Sequence, residues 1–165
     1  MDIFFEQIIK IKLNLKAKAL IAAILFVDFL LVAGLIYLAL MLAPAIVFLI
    51  IIGVIYASYK LIMMLSVEFE YIFVNGDLDV DKIVAKASRK RVVSIKCSEV
   101  EKFGEYKGQP APSSVKQTFI CCNPDSENQV YLIAKDRNHG VIMLVMAPDE
   151  RIREAIESAV PRIAK

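Results

Sequence analysis

Val67-Glu-Phe-Glu-Tyr-Ile-Phe-Val-Asn-Gly-Asp-Leu-Asp-Val80 is the stretch that decides the fold. Val67, Phe69, Tyr71 and Phe73 alternate with Glu68 and Glu70, the period of a half-buried strand. Asn75-Gly76 suits a type I′ turn, which needs positive φ at both central positions. Leu78 and Val80 then alternate with Asp77, Asp79 and Asp81 as the return strand. A β-hairpin follows, and with it the expectation of a sheet protein from here on.

Downstream, the same signals recur. Arg91–Cys97 reads as a third strand, and Val115–Asn123, Gln129–Lys135 and Val141–Met146 as three more. Gly104–Ser114, with Gly108, Pro110 and Pro112, reads as a long loop. Asn123-Pro124-Asp125 and Asn138-His139-Gly140 mark turns. Ser98-x-x-Glu101 fits a capping box before a short helical turn. The last element is a helix, with Ile152, Ala155, Ile156, Ala159 and Val160 on one apolar stripe. Pro148, Asp149 and Glu150 suit its start, and Pro161 stops it.

Upstream, the composition changes. Of the 165 residues 58% are hydrophobic, against roughly 45–50% in a soluble domain. The excess lies between Ala17 and Leu65. From Lys18 to Lys60 the only charge in between is Asp28. As helix that stretch would run about 60 Å, twice the ~30 Å hydrocarbon core. Two spans joined by a tight turn fit, at about residues 19–41 and 45–65, with Pro44 at the turn. This run is too long for the apolar region of a cleaved signal peptide.

Lys10, Lys12, Lys16 and Lys18 precede the first span and Lys60 lies near the end of the second, while the turn Leu42-Ala43-Pro44 has no charge. The positive-inside rule places both termini in the cytoplasm and the chain in the cell (inner) membrane as a multi-pass protein. Residues 1–18 are ambiguous. Ile9 to Lys18 alternates with a strand period, whereas Phe4, Ile8, Ile11 and Leu15 share a helical face. Unpaired strand edges are costly beside a membrane, so an interfacial amphipathic helix with snorkelling lysines is expected. Domain boundaries then fall at 1–18, 19–65 and 66–165.

The order of elements, two spans and then the stretch quoted above, the Arg91–Cys97 strand and Ser98-Glu-Val-Glu-Lys-Phe103, resembles the bacterial pleckstrin-homology-like (PH-like) domains of small membrane proteins. It is similar to the YcxB-like kind. The resemblance implies an α+β membrane protein: an N-terminal transmembrane helical hairpin, then a PH-like β-barrel or pair of curved sheets with a C-terminal capping helix. It carries over no catalytic residue. In eukaryotic relatives of the fold, inositide binding uses basic residues near the first hairpin. Here that hairpin holds Asp77, Asp79 and Asp81, so inositide binding is not implied.

Charge and cysteine usage narrow the classes. Residues 66–165 carry fifteen basic and fifteen acidic side chains, unlike a nucleic-acid-binding domain. Cys97, Cys121 and Cys122 are odd in number and two are adjacent, which fits a reducing compartment rather than a disulfide framework. No C-x-x-C spacing supports zinc with His139, and neighbours on a strand point to opposite faces. Asp77-x-Asp79-x-Asp81 begins like a calcium loop. Lys82 and Ser88 stand where that loop needs Gly and Glu, so the aspartates are expected on an exposed strand face. No phosphate-binding glycine loop is present. We therefore expect no enzyme, no cofactor and no metal.

Asp28 is the intramembrane polar residue, expected to pair with Tyr56, Ser58 or Tyr59. Gly34 and Gly53 are places where helices can approach closely. Lys82, Lys86, Arg89, Lys90 and Arg91 should return toward the bilayer after the hairpin. With Lys10, Lys12, Lys16 and Lys18 they are candidate contacts for anionic headgroups. The expected function is a membrane-anchored interaction or scaffold protein whose partners are the bilayer and a protein or second copy. The alternative is an oligomeric small-solute channel or transporter subunit using Asp28.

Overall fold

The computed structural model describes residues 3–40, 44–136 and 139–164. The chain divides into two compact units. One comprises Met1–Ile11, Glu68–Ile83 and Ala87–Lys165, and the other Lys12–Val67 and Val84–Lys86.

The first unit holds two four-stranded sheets and a helix. Strand β1 (Phe4–Lys10) pairs antiparallel with β2 (Val67–Val74), from Phe4 opposite Val74 to Lys10 opposite Glu68. β3 (Asp77–Val84) and β4 (Ser88–Lys96) complete the order β1-β2-β3-β4. The second sheet orders β5-β7-β8-β6, from β5 (Val100–Glu105), β6 (Gln117–Ile120), β7 (Val130–Asp136) and β8 (Gly140–Met146). β6 runs parallel to β8, while β5, β7 and β8 are antiparallel. The two sheets stay separate, so the barrel form of the expectation gives way to two sheets.

The quoted hairpin forms as its residues require. Asn75 and Gly76 both adopt positive φ, 49° and 95°, the geometry of a type I′ turn. Asn75 also clasps the start of β1: Ile3 N–H donates to Asn75 Oδ1 at 2.9 Å, and Asn75 N–H donates to the Ile3 carbonyl at 3.0 Å. Tyr71, Phe73, Leu78 and Val80 turn inward and are fully buried or nearly so. They meet Val93, Ile95, Leu132, Ile142 and Leu144 in one core cluster. Each such side chain contributes about 1.5–3 kcal/mol on burial. The Tyr71 hydroxyl joins the two sheets, donating to the Cys121 carbonyl at 2.7 Å and accepting from Ala147 N–H at 3.3 Å.

The closing helix α3 (Glu150–Ala159) starts where expected. Asp149 is its N-cap, and its side chain accepts from Ile152 N–H at 2.9 Å. Ile152 and Ile156 are fully buried and Val160 nearly so. Gln7 of β1 accepts from Asp149 N–H at 2.7 Å, so the first strand helps to hold the helix start.

The second unit contains α1 (Leu15–Ala39) and α2 (Pro44–Met64), close to the expected spans. Asn14 caps α1, accepting from Ala17 N–H at 2.7 Å. Pro44 opens α2, where its missing N–H costs nothing. Leu42 and Ala43 of the expected turn, and Asn138 of the later one, lie outside the described residues.

Three expectations are corrected. Phe4–Lys10 is a strand and not part of an interfacial helix. The edge-strand objection fails because β2 supplies its partner. The β unit therefore draws its first strand from ahead of the helices, rather than beginning at residue 66. Ser98-x-x-Glu101 caps no helix. Cys97–Glu99 is a single 3-10 turn without a side-chain cap, and β5 follows directly. β5 was hidden by Gly104, whose missing side chain makes room for Tyr131: a Cβ there would lie 3.2 Å from that ring.

Two expected outcomes follow. Lys10 and Glu68 are ladder partners, so replacing residues 11–67 with Asn-Gly should turn β1 and β2 into an ordinary hairpin. That shortened chain should be soluble without detergent, with a β-rich circular dichroism spectrum and cooperative melting. Separately, Ile156→Ala in the full chain in detergent should cost about 2–5 kcal/mol in urea unfolding, against under about 0.5 for the exposed Glu154→Ala.

Candidate functional site

In the β unit, the faces of β2 and β3 turned from the core carry acids. Glu70 is fully buried, Glu68 and Asp81 nearly so, and Asp79 is half-buried. β4 answers with arginines. Arg89 Nη2 lies 2.9 Å from Glu70 Oε1, and Arg91 bridges Asp79 and Asp81. Glu6 of β1 lies beside Glu70. Glu68 Oε1, Glu70 Oε2 and Asp79 Oδ1 are buried without a hydrogen-bond partner. Burial, and then the neighbouring Glu6 carboxyl, push the Glu70 carboxyl above its ordinary value, outweighing the opposing pull of Arg89.

This network was missed in the sequence, although the period-two pattern at Glu68, Glu70, Asp79 and Asp81 announces a shared face. Asp79 and Asp81 were expected on an exposed face. Asp81 is instead buried against Arg91, and Asp77 alone of the three is exposed. Arg89 and Arg91 are strand residues engaged with carboxylates, not members of a loose basic loop. Lys10, Lys82 and Lys90 are exposed on β1, β3 and β4.

The three thiols are buried and free. Cys121 and Cys122 follow the end of β6, so the expected strand to Asn123 stops short; Cys121 joins the cluster between the sheets and Cys122 the cluster on the other face. Burial pushes Cys97 and Cys121 up to about 12 and raises Cys122, which leaves little thiolate for chemistry at neutral pH. His139 Nδ1 lies 2.7 Å from Asp136 Oδ2, and Asp136 Oδ1 accepts from Ser94 N–H, so this histidine closes a turn. Among the described residues no group of three His, Cys, Asp or Glu side chains is placed to hold a metal.

In the helical unit, the apolar side chains face outward. No residue of α1 is buried, and only Val47 and Ser58 are in α2. Of the three hydroxyls expected near Asp28, Ser58 makes the contact, donating to Oδ1 at 2.8 Å. Lys12, Lys16 and Lys18 are exposed around the start of α1, and Lys60 reaches over the Tyr56 ring near the end of α2. Lys86 joins them. It lies in the β3–β4 turn, where Ala85 N–H donates to the Ser66 carbonyl at 3.1 Å, two residues past α2. Five lysines thus gather at the end of the helix pair formed by the start of α1 and the end of α2.

Two sheets closed by a C-terminal helix, with two long apolar helices set between the first and second strands, define an α+β PH-like protein. The chain belongs to the family described as bacterial PH-like domain (DUF6106), whose model matches residues 1–165. No curated protein matches the chain, and no solved structure does.

The Glu70 geometry makes stability depend on pH. A carboxyl raised in the folded state holds its proton more tightly than in the unfolded chain. Its stabilising contribution is therefore complete below about pH 4.5 and is lost as pH rises through the raised value. Glu70→Gln should stabilise the full chain more, or destabilise it less, at pH 7 than at pH 4. Urea midpoints of both proteins at the two pH values test this, and an equal effect at both would contradict it.

Proposed function

We propose that α1 and α2 cross the cell (inner) membrane as a hairpin and anchor the PH-like unit at its cytoplasmic face, where it serves as an interaction scaffold. One observation carries this reading. The chain leaves the β unit at Lys10, re-enters at its ladder partner Glu68, and in between makes two helices of 25 and 21 residues with outward apolar side chains. Each is long enough to span ~30 Å of hydrocarbon. An 18-residue stretch of each has a mean hydropathy of 2.8 and 2.3, respectively, which suits lipid.

An even number of crossings follows from the ladder, since both ends of the insert start from neighbouring positions on one sheet. The lysines set the sense of insertion. Lys12, Lys16, Lys18, Lys60 and Lys86 then meet anionic headgroups, each contributing about 1 kcal/mol near such a surface. Arg89 and Arg91 are already paired, which leaves Lys10, Lys82 and Lys90 as the further candidates from the β unit. A protein partner would dock on the β unit. The Ser58 hydrogen bond supports a structural role for Asp28, which favours the scaffold over a solute channel.

The test is topological. A fluorescent protein after Lys165 should light up, and alkaline phosphatase there should be inactive. Phosphatase inserted after Ala43 should be active. The reverse pattern would reject the orientation, and activity at neither site would reject the spans.

A further inference from the structure

Asp28 is half satisfied. Ser58 meets Oδ1, and among the described residues no second group meets the carboxyl. Beside it lies an open groove of about 290 Å³, lined by Ala23, Ile24 and Val27 of α1 and by Ser58 and Leu61 of α2.

Helical periodicity extends that face. Gly34 follows Val27 by two turns, and Ala57 and Gly53 precede Leu61 by one turn and two. A Cβ on Gly34 or Gly53 would meet nothing within 4 Å, so α1 and α2 use neither glycine against each other. Gly53-x-x-x-Ala57 has the small-xxx-small spacing through which membrane helices approach closely. Close-approach positions and a half-paired carboxyl therefore share one side of the helix pair.

We propose that this side is covered by the same side of a second copy, so that hairpins pair within the bilayer through Asp28 and Gly53-x-x-x-Ala57. The proposal rests on the reading of α1 and α2 as membrane spans. Hydrocarbon offers no hydrogen-bond donor, so an unmet carboxyl oxygen is costly there. A partner must bring a polar group to the depth of Asp28. A second copy inserted in the same sense does so by construction. A two-fold axis along the membrane normal sets the Asp28–Ser58 pairs of two copies at the same depth, so each pair supplies the polar neighbour that the other lacks. Pairing of hairpins makes the scaffold bivalent, with two β units per assembly.

The test uses the full chain in native membranes. Ala57→Cys should cross-link to a dimer of twice the chain mass under copper–phenanthroline, judged against the wild type with its three buried thiols. Tyr59→Cys, about 200° around α2, should not. Equal yields, no dimer from Ala57→Cys, or a cross-link only to a different protein would each overturn the proposal. In dilute lipid vesicles, energy transfer between labelled chains should show association weakened about tenfold by Asp28→Leu, the scale of an interhelical hydrogen bond in lipid. It should be largely kept by Asp28→Asn, whose amide keeps a polar group at that depth. Loss of no association in Asp28→Leu would also overturn it. An alkaline carbonate wash separates the two readings. Release of the chain overturns the spans and the pairing together, whereas retention without cross-linking overturns the pairing alone.

Discussion

The β1–β2 ladder is the constraint on which the rest depends. It pairs residues that are more than fifty positions apart in the chain, Lys10 with Glu68 and Phe4 with Val74. Closing so long a loop has an entropic cost that grows only slowly with length, and the two helices inside it fix most of that length. The ladder supplies the sheet with its fourth strand and gives β2 a partner on the side away from β3. It also brings Gln7 to the N-terminus of α3. A strand ahead of the helices is thereby made part of the unit that follows them.

The core of that unit is apolar and continuous between the sheets, but two polar devices discipline it. Tyr71 spans the sheets with its hydroxyl, which burial keeps neutral. Asp136 gathers Ser94 and His139. Both satisfy backbone groups that would otherwise be left unpaired in the interior. The face of the first sheet turned from the core is different in kind. Its carboxylates outnumber the arginines that answer them, and three carboxyl oxygens stay unmet. Such a face is held by packing as well as by ion pairs.

The helical unit has the opposite economy. Its backbone is satisfied internally, its side chains face outward, and its one carboxyl sits against a serine. Nothing in an aqueous surrounding would favour that arrangement, because exposed leucines and isoleucines along 46 helical residues gain nothing from water. In hydrocarbon the same surface is at home, and the single acid becomes the group that has to be explained.

Much of this was legible in the residues. Period-two alternation and Asn75-Gly76 specified the β2–β3 hairpin, because a half-buried strand and a positive-φ turn each leave a local mark. The 3.6 period and Asp149 specified α3, and two runs of apolar residues specified α1 and α2. Pairing was not legible. β1 read as part of an interfacial helix, since its partner lies beyond both helices and only the folded sheet brings it near. β5 carries a glycine that fits Tyr131 of another strand, so its own pattern is weak. Asp28 was visible from its isolation, and Ser58 was one of three candidate partners until the helices packed. The arginines of β4 looked like a free basic cluster because their carboxylates come from β2 and β3. Local periodicity thus determined the elements one by one, whereas tertiary structure alone decided which strand met which and which charges were already spent, because both depend on contacts between residues distant in the chain.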